Sequence, residues 1–257
     1  MEININCDLG ESSKIHSTEN DPLLLNIVNS ANIACGYHAG DKKTMEKTIE
    51  ISKINQVSIG AHPSFDDREN FGRKKINLPP AEIKKLIIDQ INLLSEIAQN
   101  KKMQVTHVKP HGALNNMACE NYELAAIISE SIVKVNKDLI FLVPAGSQME
   151  KAGKKLGMKI ASEIFADRNY EDDGNLVSRT KKNAMITDPV IAKERIIKMV
   201  KRQALNCYSG KQIPCEIDSI CVHGDEASAV NTAKQIKVGL LKSGVTLMSL
   251  DKMKKFI

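Results

Sequence analysis

The sequence predicts an α/β fold, a parallel sheet closed into one (β/α) barrel spanning residues 1–257. Three observations point there. Seven or eight short apolar runs alternate with longer segments of helical periodicity, the pattern of repeated β–α units. No shift in composition and no low-complexity stretch divides the 257 residues, a length at which α/β barrels commonly form a single unit. Polar side chains gather at the C-terminal ends of nearly every predicted strand, and a barrel brings those ends together at one mouth. An open doubly wound sheet would concentrate them at one switch point instead.

Taken in order, the strands are "ININ" (3–6), "ANIAC" (31–35), "VSIGA" (57–61), "VTHVK" (105–109), "LIFLV" (139–143), "KIASEIF" (159–165), "SICV" (219–222) and "VTLMSL" (245–250). "DPLLLNIV" begins a helix, with Asp21 as N-cap and Pro22 at the first helical position. "DPVIAKERIIKMVKRQ" repeats that signal with Asp188 and Pro189. Segment 80–100 sets Ile83, Leu86, Ile87, Ile91, Leu94 and Ile97 on one helical stripe. Further helices are expected over 121–135 and 226–242, and Asp41 and Ser147 are positioned to cap others. The irregular stretches 62–79 and 167–187 each follow a strand, where long loops commonly carry function.

Bulk properties exclude several classes. The apolar content of 42% supports a sizeable core, yet the sequence holds no run long enough to span a bilayer. The opening "MEININCDLG" lacks a basic segment followed by a long apolar one, so no secretory signal is expected. The six cysteines form no CxxC pair and read as free thiols of a reduced, cytoplasmic protein. Cys7, Cys35 and Cys221 fall on strands and read as small core residues. The net charge of +5 comes from lysines interspersed with glutamates, and tryptophan is absent. No nucleic-acid or membrane partner is expected, and assembly into a homo-oligomer is left open.

Side chains alternate between the two faces of a strand. In the first strand Ile3, Ile5 and Cys7 oppose Asn4, Asn6 and Asp8; in the third Ile59 and Ala61 oppose Ser58, Gly60 and His62. His107, Lys109 and His111 are in register on the fourth, and Ile164 and Ala166 oppose Glu163, Phe165 and Asp167 on the sixth. On the next, Ile220 and Val222 oppose Ser219, His223 and Asp225, while His38 follows the second strand in "CGYHAGD". Five of the six histidines thus lie at or near strand ends. One such histidine is commonly structural; five in matching places point to a site. The His107–His111 spacing would suit a helical metal pair, but Pro110 breaks that helix. A metal held from separate strands, by Asp8 and His62 with His38 or His111, fits the chemistry of imidazole and carboxylate. Neither GxxxxGK[ST] nor GxGxxG occurs. Arg73, Arg168 and Arg179, on loops after strands, could clamp a carboxylate or phosphate or simply anchor those loops.

These residues together resemble the LamB/YcsF family, the A subunits of 5-oxoprolinase. The stretches that carry the likeness are "INCDLGES", "SANIACGYHAGD", "GAHPSFDDRENFGR", "VKPHGALNN", "EIFADRNYEDDGNLVSR" and "SICVHGD", from the first strand to the seventh. The sequence departs from the family at Asn115, where Tyr is usual, and in "GESSK", which lacks the usual aromatic–glycine ending. The resemblance implies a distorted, seven-stranded, TIM-like barrel of the glycoside hydrolase/deacetylase type. It also implies ATP-dependent opening of 5-oxo-L-proline (pyroglutamate) to L-glutamate, with ATP as co-substrate and its accompanying Mg, alongside partner subunits B and C.

A five-membered lactam resists water, and phosphorylating its carbonyl oxygen activates it. The chemistry then needs cations around the phosphoryl group, a base for water and a proton donor for the ring nitrogen. Lys109 and Arg168 are candidates for anion stabilisation, and Asp8 and His62 for base or metal ligand. His38, His111 and His223 are candidates for proton transfer, with Glu163 or Asp167 fixing their tautomers. Asn6, Arg73, Arg179 and Asp225 complete the expected set as substrate- or phosphate-binding residues. Two rival readings stand beside this one: a stand-alone metal-dependent, deacetylase-like hydrolase, and a non-catalytic substrate-binding subunit.

Overall fold

A computed structural model of the chain describes residues 1–223 and 229–257. Strand β1 (Glu2–Leu9) is followed by α1 (Asp21–Leu25), β2 (Ser30–Ala34), α2 (Lys42–Ile54), β3 (Ser58–His62), α3 (Pro80–Asn100) and β4 (Val105–Val108). Helices α4 (Gly112–Glu120) and α5 (Tyr122–Val135) lead to β5 (Ile140–Pro144), α6 (Gln148–Lys155) and β6 (Ile160–Phe165). Next come α7 (Pro189–Arg202), β7 (Ala204–Asn206), β8 (Gln212–Pro214), β9 (Ser219–Val222), α8 (Ala229–Lys242) and β10 (Thr246–Leu247).

Among the described residues, seven parallel strands close the barrel in the order β1-β2-β3-β4-β5-β6-β9, and β9 pairs back onto β1 through Ile5↔Ile220 and Cys7↔Val222. The expected barrel is therefore present. The last expected strand shrinks to β10, which pairs with the start of β1 through Glu2↔Thr246. The antiparallel β7–β8 hairpin has no counterpart in the sequence reading, because three-residue strands are too short to show alternation.

The helices begin where their caps dictate. Side chains of Asp41, Asn121, Ser147 and Asp188 accept the free N–H groups of α2, α5, α6 and α7. Asp21 is different: Asn20 occupies the cap position, and the Asp21 carboxylate instead accepts the Gly10 N–H at 2.8 Å. The α3 stripe from Ile83 to Ile97 is wholly buried. Each such side chain contributes roughly 1.5–3 kcal/mol on burial, which fastens the helix to the outside of the barrel.

Outward-facing Ile3, Ile5, Cys7, Ile59, Ala61, Ile164 and Ile220 join the helices in one core. The inside of the barrel is mostly polar. In its lower layer Asn4 donates to Ser30, Ser30 bonds to Ser58, and Ser219 donates back to Asn4 at 2.7 Å. Above this, His107 is enclosed by Asn32, whose Oδ1 accepts from its Nε2 at 3.0 Å, and by Thr106. Gly60 makes room for that ring, since a Cβ there would lie 2.2 Å from His107 Cδ2. The bottom is closed by the segment after β10. Its Leu250, Met253 and Phe256 pack against inward-facing Ile140, Leu142 and Ala161, and Asn4 donates to the Met248 carbonyl at 3.0 Å.

Candidate active site

At the mouth, the inward faces of β1, β4, β6 and β9 bring Asp8, Lys109, Glu163 and Cys221 together. Lys109 Nζ lies 3.0 Å from Asp8 Oδ1, 3.1 Å from Glu163 Oε2 and 3.1 Å from Cys221 Sγ. Burial opposes charge on Lys109, but Asp8, Cys221 and Glu163 outweigh it and hold the ammonium well above its usual pKa. Burial likewise opposes ionisation of Asp8, and His62 and Lys109 overcome it, so this carboxylate titrates well below the usual range. Burial prevails at Glu163, whose pKa is raised despite Lys109. Its Oε1 is buried without a partner among the described residues. Asn6 ties these groups together, accepting from Asn32 at 2.8 Å and donating to Ser219 and Glu163.

A second cluster adjoins the first. His62 Nε2 lies 3.5 Å from Asp8 Oδ2 and 3.0 Å from His111 Nδ1. Glu11, on the loop after β1, places Oε1 3.0 Å from His38 Nε2 and 3.1 Å from His111 Nδ1. The rings of His38 and His111 stack at 3.8 Å. Burial pushes His62 down to about 3 and His38 down to about 4, so both imidazoles are neutral at physiological pH. Glu11, His38, His62 and His111 are thus compatible with a divalent metal ion, as are Asp8, Cys221 and His223.

A cavity of about 450 Å³ opens above both clusters. Its floor includes Asp8, Glu11, His62, Lys109 and His111, and its walls carry Arg73, Lys75, Arg168, Arg179 and His223. The N-terminal turns of α4 and α6 also face it, through Gly112, Gly146 and Ser147, and helix N-termini favour anions. Arg168 is anchored by donating to the Val177 carbonyl at 2.7 Å. His223 Nδ1 lies 2.8 Å from each oxygen of Asp167. Burial works against a charged His223, but Asp167 prevails and raises its pKa.

The structure thus places the expected residues unevenly. Asp8, His62, Lys109, His111, Arg168, His223, Arg73 and Arg179 line the cavity. Asn6, His38, Glu163 and Asp167 lie behind that lining, against residues that form it. Asp167 partners a histidine, as the sequence suggested; Glu163 partners Lys109 instead. His107 is wholly enclosed beneath the floor, and Asp225 lies outside the described residues. Glu11 and Asn32 join the site without a signal in the strand pattern. Cys221 packs in the core as expected, but its sulfur also touches the Lys109 ammonium; strict alternation from Ser219 to His223 would have placed it inward. Asn115, one of the departures from the family, lines the cavity, and its Oδ1 is buried without a hydrogen-bond partner among the described residues.

Fold and site together define a parallel (β/α) barrel of the deacetylase and glycosidase kind, with ionisable groups collected at the mouth. Residues 3–255 match the LamB/YcsF family, and the chain belongs to it. The A subunit of 5-oxoprolinase from Clostridium beijerinckii is 45% identical over 97% of this chain and 98% of its own length. The crystal structure of a lactam utilization protein from Thermus thermophilus superposes with a TM-score of 0.90 at 31% identity, covering 97% of this chain and 100% of that one. A peptidoglycan N-acetylglucosamine deacetylase domain from Eubacterium rectale (TM-score 0.53, 11% identity, 99% and 89% coverage) shares the fold alone. Among the described residues no helix is long and apolar enough to cross a membrane.

Proposed function

We propose that this chain is the A subunit of an ATP-dependent 5-oxoprolinase, opening the lactam of 5-oxo-L-proline to L-glutamate with subunits B and C. The observation that carries this reading is the cavity itself, where a buried ammonium and three guanidinium side chains meet an ionised carboxylate and the neutral His62 imidazole. The names of the relatives, a 5-oxoprolinase subunit and a lactam utilization protein, support a lactam substrate, and the six free thiols suit a cytoplasmic setting.

The residues divide the work by charge state. Lys109 is held protonated and so serves as a cation rather than a base, stabilising negative charge on the activated carbonyl or its phosphoryl group. Arg168, with Arg73 and Arg179, holds the phosphoryl or carboxylate end. Asp8, ionised and open to the cavity, accepts the proton of the attacking water. The C–N bond breaks as the ring nitrogen takes a proton from His223, whose charged form Asp167 favours. Ring opening leaves an acyl phosphate that carries the phosphoryl group of ATP, delivered with Mg, and a second water cleaves it to L-glutamate and phosphate. With no P-loop in the chain, ATP handling falls to the partner subunits in this scheme.

The test is reconstitution with B and C, assaying pyroglutamate-dependent ADP release. The complex should turn over and the chain alone should not. Robust ATP-dependent turnover by the purified chain alone would sink this division of labour.

A further inference from the structure

The second cluster crowds two imidazole nitrogens and a carboxylate oxygen together. His62 Nδ1 donates to the Lys109 carbonyl at 2.7 Å, and His111 Nε2 donates to the Phe71 carbonyl at 3.0 Å. Backbone acceptors thus fix the tautomer of each neutral ring, which then carries its lone pair on His62 Nε2 and on His111 Nδ1. These two atoms are 3.0 Å apart, and Glu11 Oε1 lies 3.1 Å from His111 Nδ1 and 3.7 Å from His62 Nε2. Two lone pairs and a carboxylate oxygen at such separations repel unless positive charge sits among them. A tetrahedral centre with bonds of ~2.1 Å has ligand–ligand edges of about 3.4 Å, and the three observed edges bracket that length.

We infer that Glu11 Oε1, His62 Nε2 and His111 Nδ1 bind one divalent ion of the zinc type, with a further coordination position open to the cavity. Two imidazoles and a carboxylate form a donor set for borderline transition metals. The backbone carbonyls supply the outer hydrogen bonds that orient metal-bound histidines. His38 steadies Glu11 from behind, donating from Nε2 at 3.0 Å while stacking on His111. All three ligands line the cavity, where a bound ion would supply Lewis acidity toward a carbonyl or phosphoryl oxygen or a water.

The other metal-compatible group, Asp8 with Cys221 and His223, is already satisfied. The Lys109 ammonium lies within 3.3 Å of both Asp8 oxygens and 3.1 Å from Cys221 Sγ, and His223 Nδ1 is engaged by Asp167. The ligand set read from the sequence therefore changes: Glu11 takes the place of Asp8. The inference rests on ligand geometry and holds whatever the substrate proves to be.

The test is metal binding, not turnover. Chelator-treated full-length chain is titrated with Zn(II) by calorimetry and with Co(II) by visible absorption, and thermal unfolding is followed with and without Zn(II). One equivalent should bind with Kd below about 1 μM, with tetrahedral or five-coordinate cobalt bands and a raised Tm. The near-isosteric Glu11→Gln removes a direct ligand and should weaken binding by at least the roughly 100-fold that loss of an outer partner can cost, and abolish the Tm shift while remaining folded. Cys221→Ser should bind as tightly as wild type. Failure of wild type to bind Zn(II) or Co(II) saturably would overturn the proposal, leaving a shared proton to fill the cluster. Loss of binding in Cys221→Ser with retention in Glu11→Gln would also overturn it, assigning the metal to the other group.

Discussion

Lys109 Nζ lies 3.0 Å from Asp8 Oδ1, joining the fourth barrel strand to the first across the floor of the cavity. The same ammonium is the counter-charge for Glu163, so its removal strands two buried acids. Lys109→Ala should abolish turnover of the reconstituted complex and also cost roughly 3–5 kcal/mol of stability. From sequence alone this variant would be expected simply to stay folded; the burial of Lys109 changes that expectation. Calorimetric unfolding with the turnover assay checks both effects. Wild-type rates in this variant would remove Lys109 from the mechanism.

The Asp167–His223 pair carries a pH signature. His223 is raised by Asp167, so the pair's stabilisation is full below the unfolded histidine value of about 6.5 and fades as pH rises through the folded one. Asp167, held low by His223 against burial, loses its share as pH falls from about 3.9 through its own folded value. Asp167→Asn should lower the His223 pKa, read from its imidazole resonances by NMR. The stability difference from wild type should be largest between about pH 4 and 6.5. An unmoved His223 titration would refute the pairing.

Asp21 behaves in the opposite sense. Burial raises its pKa to about 6 although its carboxylate accepts the Gly10 N–H. Between about pH 3.8 and 6 the folded state binds more protons than the unfolded chain, so this group's contribution falls as pH rises. Asp21→Asn keeps an acceptor for Gly10 without the buried charge. It should be more stable than wild type at pH 7, by on the order of 1–3 kcal/mol, with the gain vanishing toward acid pH. Denaturant melts at several pH values measure this.

Gly60→Ala should be severely destabilising, by roughly 3 kcal/mol or more, because its new methyl would overlap the His107 ring. Thr106 and Asn32 hold that ring in place. In the double variant with His107→Ala the two losses should be far from additive. Additive losses in a double-mutant cycle would mean that the ring is not what excludes the methyl.

Arg179 lines the cavity wall from an exposed loop. Arg179→Ala should raise KM for the anionic substrate of the reconstituted complex about tenfold, near 1.4 kcal/mol, with kcat moving less. A kcat loss at constant KM would instead place Arg179 in the chemical step.

Much of this site is legible in the sequence because strands alternate. Asn6, Asp8, His62, Lys109, Glu163 and His223 all follow from sorting strand faces, and the barrel follows from how many strands carry such residues. Glu11 was hidden because it lies past the end of β1, on a loop with no periodicity to say where its side chain points. Asn32 was hidden by lying in an apolar run, where its neighbours dominate. The habit of cysteine to fill cores accounts for the burial of Cys221 but says nothing of what its sulfur touches. Asp21 carries a helix-start signal, but a tertiary partner, the Gly10 N–H, claimed its carboxylate.

The segment after β10 has a consequence for molecular traffic. Leu250, Met253 and Phe256 cork the barrel from below, beneath the polar layers. Among the described residues the chamber above them is thus approached from the mouth. A group bound against Asp8 and Lys109 lies at the floor of that cavity, so a product lodged there would compete directly with the next substrate.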